Sequence, residues 1–315
     1  MKKKNLKPLQ NKTFKERLVK DLKWNWILYV MIIPIIVYFF VFSYVPMYGI
    51  VMAFKEYHVK KGILGSPWVG LAHFKRFFSA YNFGNLLKNT LTLSSYSLLV
   101  GFPLPIIFAV LLHHSKRSIL KKTVQMLSYA PHFISTVVIC GMIRLFFHEE
   151  RGIINIFIEL LGGEGINFLG KAELFKHIYV WSGIWQSMGW SAIIYVSALA
   201  GVDQQLHEAA FIDGATVMQR IRHIDIPSIK PTIVMLLIMS FPGLAGVAFE
   251  KVYLLQNNLN LTASQVISTY VYEQGMIRAN YSYSTAVGLF NTLISLALLI
   301  AANTFSKKVL DESLF

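Results

Sequence analysis

Long apolar runs separated by shorter polar intervals dominate the chain. Runs at about residues 27–50, 89–112, 124–147, 178–200, 233–255 and 286–305 each approach the roughly 20 residues that carry an α-helix across a bilayer. The pattern predicts six transmembrane helices, an all-α integral membrane fold with both termini on one side. Pro34 and Pro46 are expected to kink the first span, and Gly101, Pro103 and Pro105 to bend the second. Pro242, Gly243 and Gly246 predict an interruption in the fifth. The interval 53–87, despite Trp68 and several aromatic clusters, is too polar to cross.

The most organised polar interval lies at 201–232, between the fourth and fifth runs. From Glu208 to Thr232 it reads E-A-A-F-I-D-G-A-T-V-M-Q-R-I-R-H-I-D-I-P-S-I-K-P-T. Ala209, Ala210 and Ala215 favour helix, and Gly214 is the residue type at which a helix changes direction. The segment is expected to form two short helices broken at Gly214, held between two spans.

Composition narrows the class. With 315 residues, 55% hydrophobic and 15% charged, the chain is too apolar for an ordinary soluble domain. A single membrane domain is expected at 27–307, between a basic tail at 1–26 and a short C-terminal tail at 308–315. The first run extends beyond the apolar core of a signal peptide and follows nine basic residues, so the tail reads as uncleaved, with Trp24 and Trp26 as an aromatic anchor. Cys140, the one cysteine, excludes an intramolecular disulfide and a cysteine metal cage.

The formal charge of +14 raises the possibility of nucleic acid. The basic residues, however, cluster between the apolar runs, where they act as an orientation signal. The N-terminal tail, the 113–122 loop, the 201–232 loop and the C-terminal end hold most of them. The 148–177 and 256–284 loops hold few, and the former is rich in Glu. Both termini and the 201–232 loop are therefore expected in the cytoplasm.

Residues Glu208, Ala209, Ala210, Asp213, Gly214, Ala215, Ile224, Pro227 and Pro231 match the EAA loop of ABC importer permeases, with Ile226 where Leu is usual. Two further regions, Y-A-P-H-F-I-S around Pro131 and the stretch 249–283, are similar to carbohydrate-importer permeases of the MalF-like group. They look closest to the LplB-like branch, usually linked to complex oligosaccharides. The resemblance spans roughly residues 25–308. It implies a type I importer fold in the plasma membrane of a bacterium, multi-pass, and a non-catalytic subunit binding no cofactor. Glu208, Ala209, Ala210, Asp213, Gly214, Ala215, Ile224 and Pro227 would belong to a coupling helix docking on a cytoplasmic ATPase. The implied partners are a second related permease, two ATPase subunits carrying ATP and Mg, and an extracellular solute-binding protein delivering an oligosaccharide.

A transport site belongs between helices near mid-bilayer. On the fourth run, Gly183, Gln186, Ser187 and Trp190 recur at i, i+3, i+4 and i+7 and share one helical face, where an amide, a hydroxyl and an indole suit a sugar ring. His132, Ser135 and Thr136 share a face on the third run, and Ser240, Gly243 and Gly246 surround the proline break on the fifth. Small and hydroxylated residues also pack membrane helices against each other, so both readings stand. Glu250 and Lys251 either line the pathway or pair at the interface, and Arg144 is expected to snorkel.

No catalytic or metal constellation is expected, and His113, His114, His207 and His223 are given no chemistry. Gly165, Gly170 and Lys171 have the spacing of a phosphate-binding loop, but Ala172 stands where the magnesium-binding hydroxyl belongs and no buried strand precedes them. Two other readings stand beside oligosaccharide import. One is a permease for amino acids or another small solute; the other is a polytopic membrane enzyme, for which no acid, base and nucleophile cluster is seen.

Overall fold

A computed structural model describes residues 21–115 and 117–309, so most of the N-terminal tail and of the C-terminal tail lie outside the described residues. The described chain is helical, and among these residues the only β pairing is one isolated bridge between Lys55 and Trp68.

Ten helical segments frame the molecule. They are α1 (Trp26–Phe54), α2 (Phe83–His114), α3 (Ser118–Phe133), α4 (Thr136–Phe146), α5 (Ala172–Ala200), α6 (Gln204–Ile212), α7 (Val217–Leu244), α8 (Phe249–Leu255), α9 (Ile267–Tyr272) and α10 (Tyr281–Val309). Among the described residues α1, α2, α7 and α10 are long and apolar enough to cross a membrane, and the α3/α4 pair makes a fifth if counted as one broken span. The 29-residue α5 is long enough, but Glu173, Lys176, Gln186 and several serines dilute its apolarity.

Helix α5 is the hub. It packs against both halves of α2, α3, α7 and α8. Leu93, Ile139, Phe175, Tyr179, Val252 and Val266 form the largest core, joining α2, α4, α5 and α8. Ala109, Ala192, Tyr195, Leu199 and Ile229 form another, where the C-terminal half of α2 meets α5 and α7. A third, aromatic core gathers Phe77, Tyr270 and Tyr283 and seats α10. By contrast, among the described residues none of the first 14 of α1 is buried, so most of their apolar side chains face outward from the helix packing.

Two boundaries differ from the sequence reading, and one interruption falls where it was expected. The run at 124–147 is not one continuous helix: α3 and α4 meet at 99°. Pro131 opens a final 3-10 turn, Ile134 and Ser135 are extended, and the Ser135 hydroxyl then accepts from the Val138 amide to start α4. The run at 233–255 is interrupted, as Pro242 and Gly243 led one to expect. Helix α7 ends in a 3-10 turn at Phe241–Leu244, where Pro242 supplies no amide, and Phe249–Leu255 is a separate helix. Finally, the segment after Gly214 is not a short helix. It begins α7 and runs through a π turn at Ile221–Asp225 into the membrane-length helix, with Pro227 at an N-terminal position of the α-helical part and Pro231 inside it.

Candidate functional site

The interval 201–232 builds a projecting elbow whose turn is dictated locally. Asp203 caps α6 by accepting from the Gln205 amide at 2.9 Å. At the other end the amide of Ala215 bonds the carbonyl of Ala210 at 2.9 Å, and that of Gly214 bonds Phe211 at 3.1 Å. This is a Schellman closure, and it requires the left-handed backbone that Gly214 adopts at φ +77°. Thr216 and Gln219 then form a reciprocal capping box that opens α7.

The elbow's outer surface is apolar as well as charged. Glu208, Ala209, Asp213 and Gly214 are exposed, while Ala210, Ala215 and Ile224 are half-buried and Pro227 is exposed. Around them Leu206, Phe211, Ile212 and Met218 stand out from the fold, with Ile212 84% exposed. Such a cluster at a tip, beyond the helix packing, has the character of a contact surface. Its root is fixed: Ile221 and Ile226 pack with Ile229 and Leu199 in the core shared by α2, α5 and α7.

A cavity of about 500 Å³ opens among α2, α4, α5, α7 and α8. Gly183, Gln186 and Ser187 face it from α5, Thr136 from α4, Ser240 and Gly243 from the end of α7, and Glu250 from α8. Gln186 Nε2 also donates to the carbonyl of Ile134 at 3.1 Å, so the break between α3 and α4 is tied to the cavity wall. Ser187 and Ser240 donate back to their own helices, at 2.8 Å and 2.6 Å.

Not all of the proposed polar face converges here. Trp190 lies one turn beyond, in a separate cleft with Phe102 and Pro105, and its ring stacks on that of His132 at 4.4 Å and 4°. Ser135 serves as the cap of α4. Of the seven positions first grouped on α5 and the third run, Trp190, His132 and Ser135 therefore do not line the cavity. Helix α5 is 29 residues long and meets different neighbours along its length, so residues on one face need not share one cavity.

Residues 101–311 match the family model described as the binding-protein-dependent transport system inner membrane component. The chain belongs to this family. The permease is 44% identical over 301 residues to the polygalacturonan/rhamnogalacturonan transport system permease protein YteP of Bacillus subtilis, covering 96% of this chain and 94% of the relative. It is 42% identical to the protein LplB of the same organism, over 93% and 91% of the two chains. Among solved structures, a bacterial ABC transporter involved in the import of the acidic polysaccharide alginate has a chain that superposes with a TM-score of 0.87 at 38% identity, covering 93% of this chain and 99% of that one. A second structure of the alginate transporter, in complex with an alginate pentasaccharide-bound periplasmic protein, superposes equally well over 95% and 100% at 37% identity. The resemblance carried by the E-A-A and D-G-A residues is thus confirmed.

Several site residues of the permease escaped the sequence reading. Ser94, Ser97 and Gly101 line the cavity from α2. Their spacing of three and four residues marks one helical stripe, a signal available but unread. Lys251, already singled out in the sequence, is buried in the cavity wall, with its ammonium 3.0 Å from the Tyr179 carbonyl. Arg144, expected to snorkel, donates to the backbone carbonyl of Leu254 and so pins α4 to α8. The histidines need the largest correction. His113, His114 and His207, distant in sequence and expected to have no role, gather around the buried carboxylate of Asp225 at the root of the elbow.

Proposed function

We propose that this chain is a permease subunit of an ATP-driven importer that carries an oligosaccharide through a pathway shared with a second, related permease. The observation that carries the reading is the elbow at Gly214: an apolar, exposed tip on a tightly packed root is suited to pass force from another protein into α5 and α7. Membership of the transport family supports the assignment, as does the similarity to relatives named for polygalacturonan, rhamnogalacturonan and alginate.

In this reading the chain crosses the membrane six times, through α1, α2, the broken α3/α4 pair, α5, α7 and α10. The basic intervals put the termini and the elbow in the cytoplasm of a bacterium, bounded by its plasma membrane. Two ATPase subunits, holding ATP and Mg, grip the elbows of the two permeases; this chain itself holds no nucleotide and does no chemistry. Closure of the ATPases on ATP moves the elbow. Its rigid continuation into α7 carries that motion to Phe241–Leu244, the turn that forms one edge of the cavity. The cavity then opens toward an extracellular binding protein, and hydrolysis resets it.

The cavity's chemistry suits a hydroxyl-rich cargo. Ser94, Ser97, Thr136, Gln186, Ser187 and Ser240 offer donors and acceptors, and four glycines let a bulky ligand approach backbone. The test is co-purification followed by uptake. The chain should isolate with an ATPase, and vesicles of the complete assembly should accumulate labelled oligosaccharide rather than labelled amino acid. Amino acid uptake alone would replace the substrate class; purification without an ATPase partner would remove the mechanism.

A further inference from the structure

Asp225 sits in the π turn where the elbow becomes α7, and its side chain has no solvent exposure. One carboxylate oxygen, Oδ2, lies 2.7 Å from Nε2 of His114, a hydrogen bond. The other, Oδ1, lies 3.1 Å from Nε2 of His207 as an ion pair, yet among the described residues neither of those atoms has a hydrogen-bond partner. Two buried polar atoms of high bonding capacity therefore face a common point with that capacity unspent. His113 adds a third group: one ligand atom from each of His113, His207 and Asp225 lies within 4.8 Å of the others.

We propose that His113, His207 and Asp225 form a site for one divalent transition metal ion of the zinc type. Two imidazoles and one carboxylate suit zinc, whereas calcium and magnesium require a shell of oxygens. Small rotations of the rings bring the three atoms to the roughly 2.0–2.2 Å that zinc keeps from nitrogen and oxygen ligands. His114 completes the arrangement from behind. By donating to Oδ2 it orients the carboxylate and leaves Oδ1 for the ion, as the outer partners of metal ligands do. His113 is only half-buried, so a water reaches the fourth position.

The three ligands come from three places that the transport mechanism must hold together. His113 ends α2, His207 lies in α6 before the Gly214 turn, and Asp225 lies after it. A bound ion staples both arms of the elbow to the end of α2. The elbow then moves as one body with the helices that surround the cavity, instead of flexing at its root. The proposal concerns metal uptake by these residues and stands whether or not the cargo is an oligosaccharide.

The test uses the complete transporter in nanodiscs, free of nucleotide, stripped with chelator and titrated with Co²⁺ alone. The wild type should take up one more equivalent per copy of this chain than a His113→Ala/His207→Ala variant, with the visible absorption of tetrahedral cobalt. His114→Ala should retain the site with affinity weakened about 10-fold or more. His113→Cys should retain the stoichiometry and add a sulfur-to-cobalt charge-transfer band in the near ultraviolet, a result that does not depend on whether the double variant assembles. Equal uptake by the wild type and the double variant would overturn the proposal. So would a His113→Cys protein without the sulfur band, and in either case the cluster is a hydrogen-bonded clasp without metal.

Discussion

The ammonium group of Lys251 donates to the backbone carbonyl of Tyr179 at 3.0 Å and lies 5.1 Å from the centre of that residue's ring. This contact ties α8 to α5 along one wall of the cavity, with the exposed Glu250 beside it. Replacing Lys251 by Ala removes both the charged donor and the aliphatic stem that fills the space, at a cost of about 2 kcal/mol. Lys251→Met keeps the stem and should recover part of the loss. Thermal unfolding of the purified assembly checks the order; an Ala variant as stable as the wild type would show that the contact contributes nothing.

Gly214 separates two effects of substitution. No atom of the described residues outside the adjoining backbone lies within 4 Å of where a Cβ would stand, so a side chain meets no obstacle among them. The left-handed backbone at φ +77° costs a non-glycine residue roughly 1–2 kcal/mol, which the elbow can absorb. Gly214→Trp should therefore insert normally into the membrane but lose uptake, because its bulk projects into the contact surface proposed for the ATPase. Sugar-stimulated ATP hydrolysis at the wild-type rate in this variant would contradict the coupling role.

Gly189 and Gly243 should respond in opposite ways. A Cβ on Gly189 would run into the backbone carbonyl of Ser128, where α3 crosses α5, whereas one on Gly243 would meet no other described residue within 4 Å. Gly189→Ala is expected to destabilise the protein by about 1–3 kcal/mol, seen as a lower melting temperature. Gly243→Ala should be silent, and Gly243→Leu should leave assembly intact while cutting uptake by filling the cavity. A stable Gly189→Ala protein would mean that the two helices can move apart freely.

The stack of His132 on Trp190 predicts a structural role for both rings. Trp190→Ala should lower stability by about 1 kcal/mol, the scale of an aromatic pair beyond its area burial. Trp190→Phe keeps a ring in place and should transport with an unchanged KM. If KM rises several-fold in the Phe variant while its stability holds, the indole contacts the cargo after all.

The reading of residues 201–232 shows where sequence reasoning was strong. The turn at Gly214 was legible because its causes lie within a few residues: the Ala215 amide reaches the Ala210 carbonyl, and the cap at Thr216 follows at once. What followed was misjudged. The helix after Gly214 was expected to be short, but the packing of Ile226, Ile229 and Val234 against neighbouring helices carries α7 on through Pro227 and Pro231. The third run misled for the reverse reason. Its hydrophobicity is continuous, whereas its backbone turns by 99° at Ile134 and Ser135, and average apolarity is insensitive to the dihedral angles of two residues.

The same divide runs through the candidate site. Gly183, Gln186 and Ser187 share a face by helical geometry, and that face does meet the cavity. Trp190 has the right spacing too, but its neighbour is His132, which no periodicity on α5 reveals.

By itself the sequence determined the helical, membrane-embedded class, the approximate positions of the apolar runs and the elbow at Gly214, since each depends on residues within one or two helical turns or on the length of one run. The tertiary structure alone decided which polar groups face a common cavity, how Lys251 meets Tyr179, and that three histidines surround Asp225. Those relations join residues tens to more than a hundred positions apart. They are set by the crossing of helices, and nothing in the local chain encodes where another helix will pass.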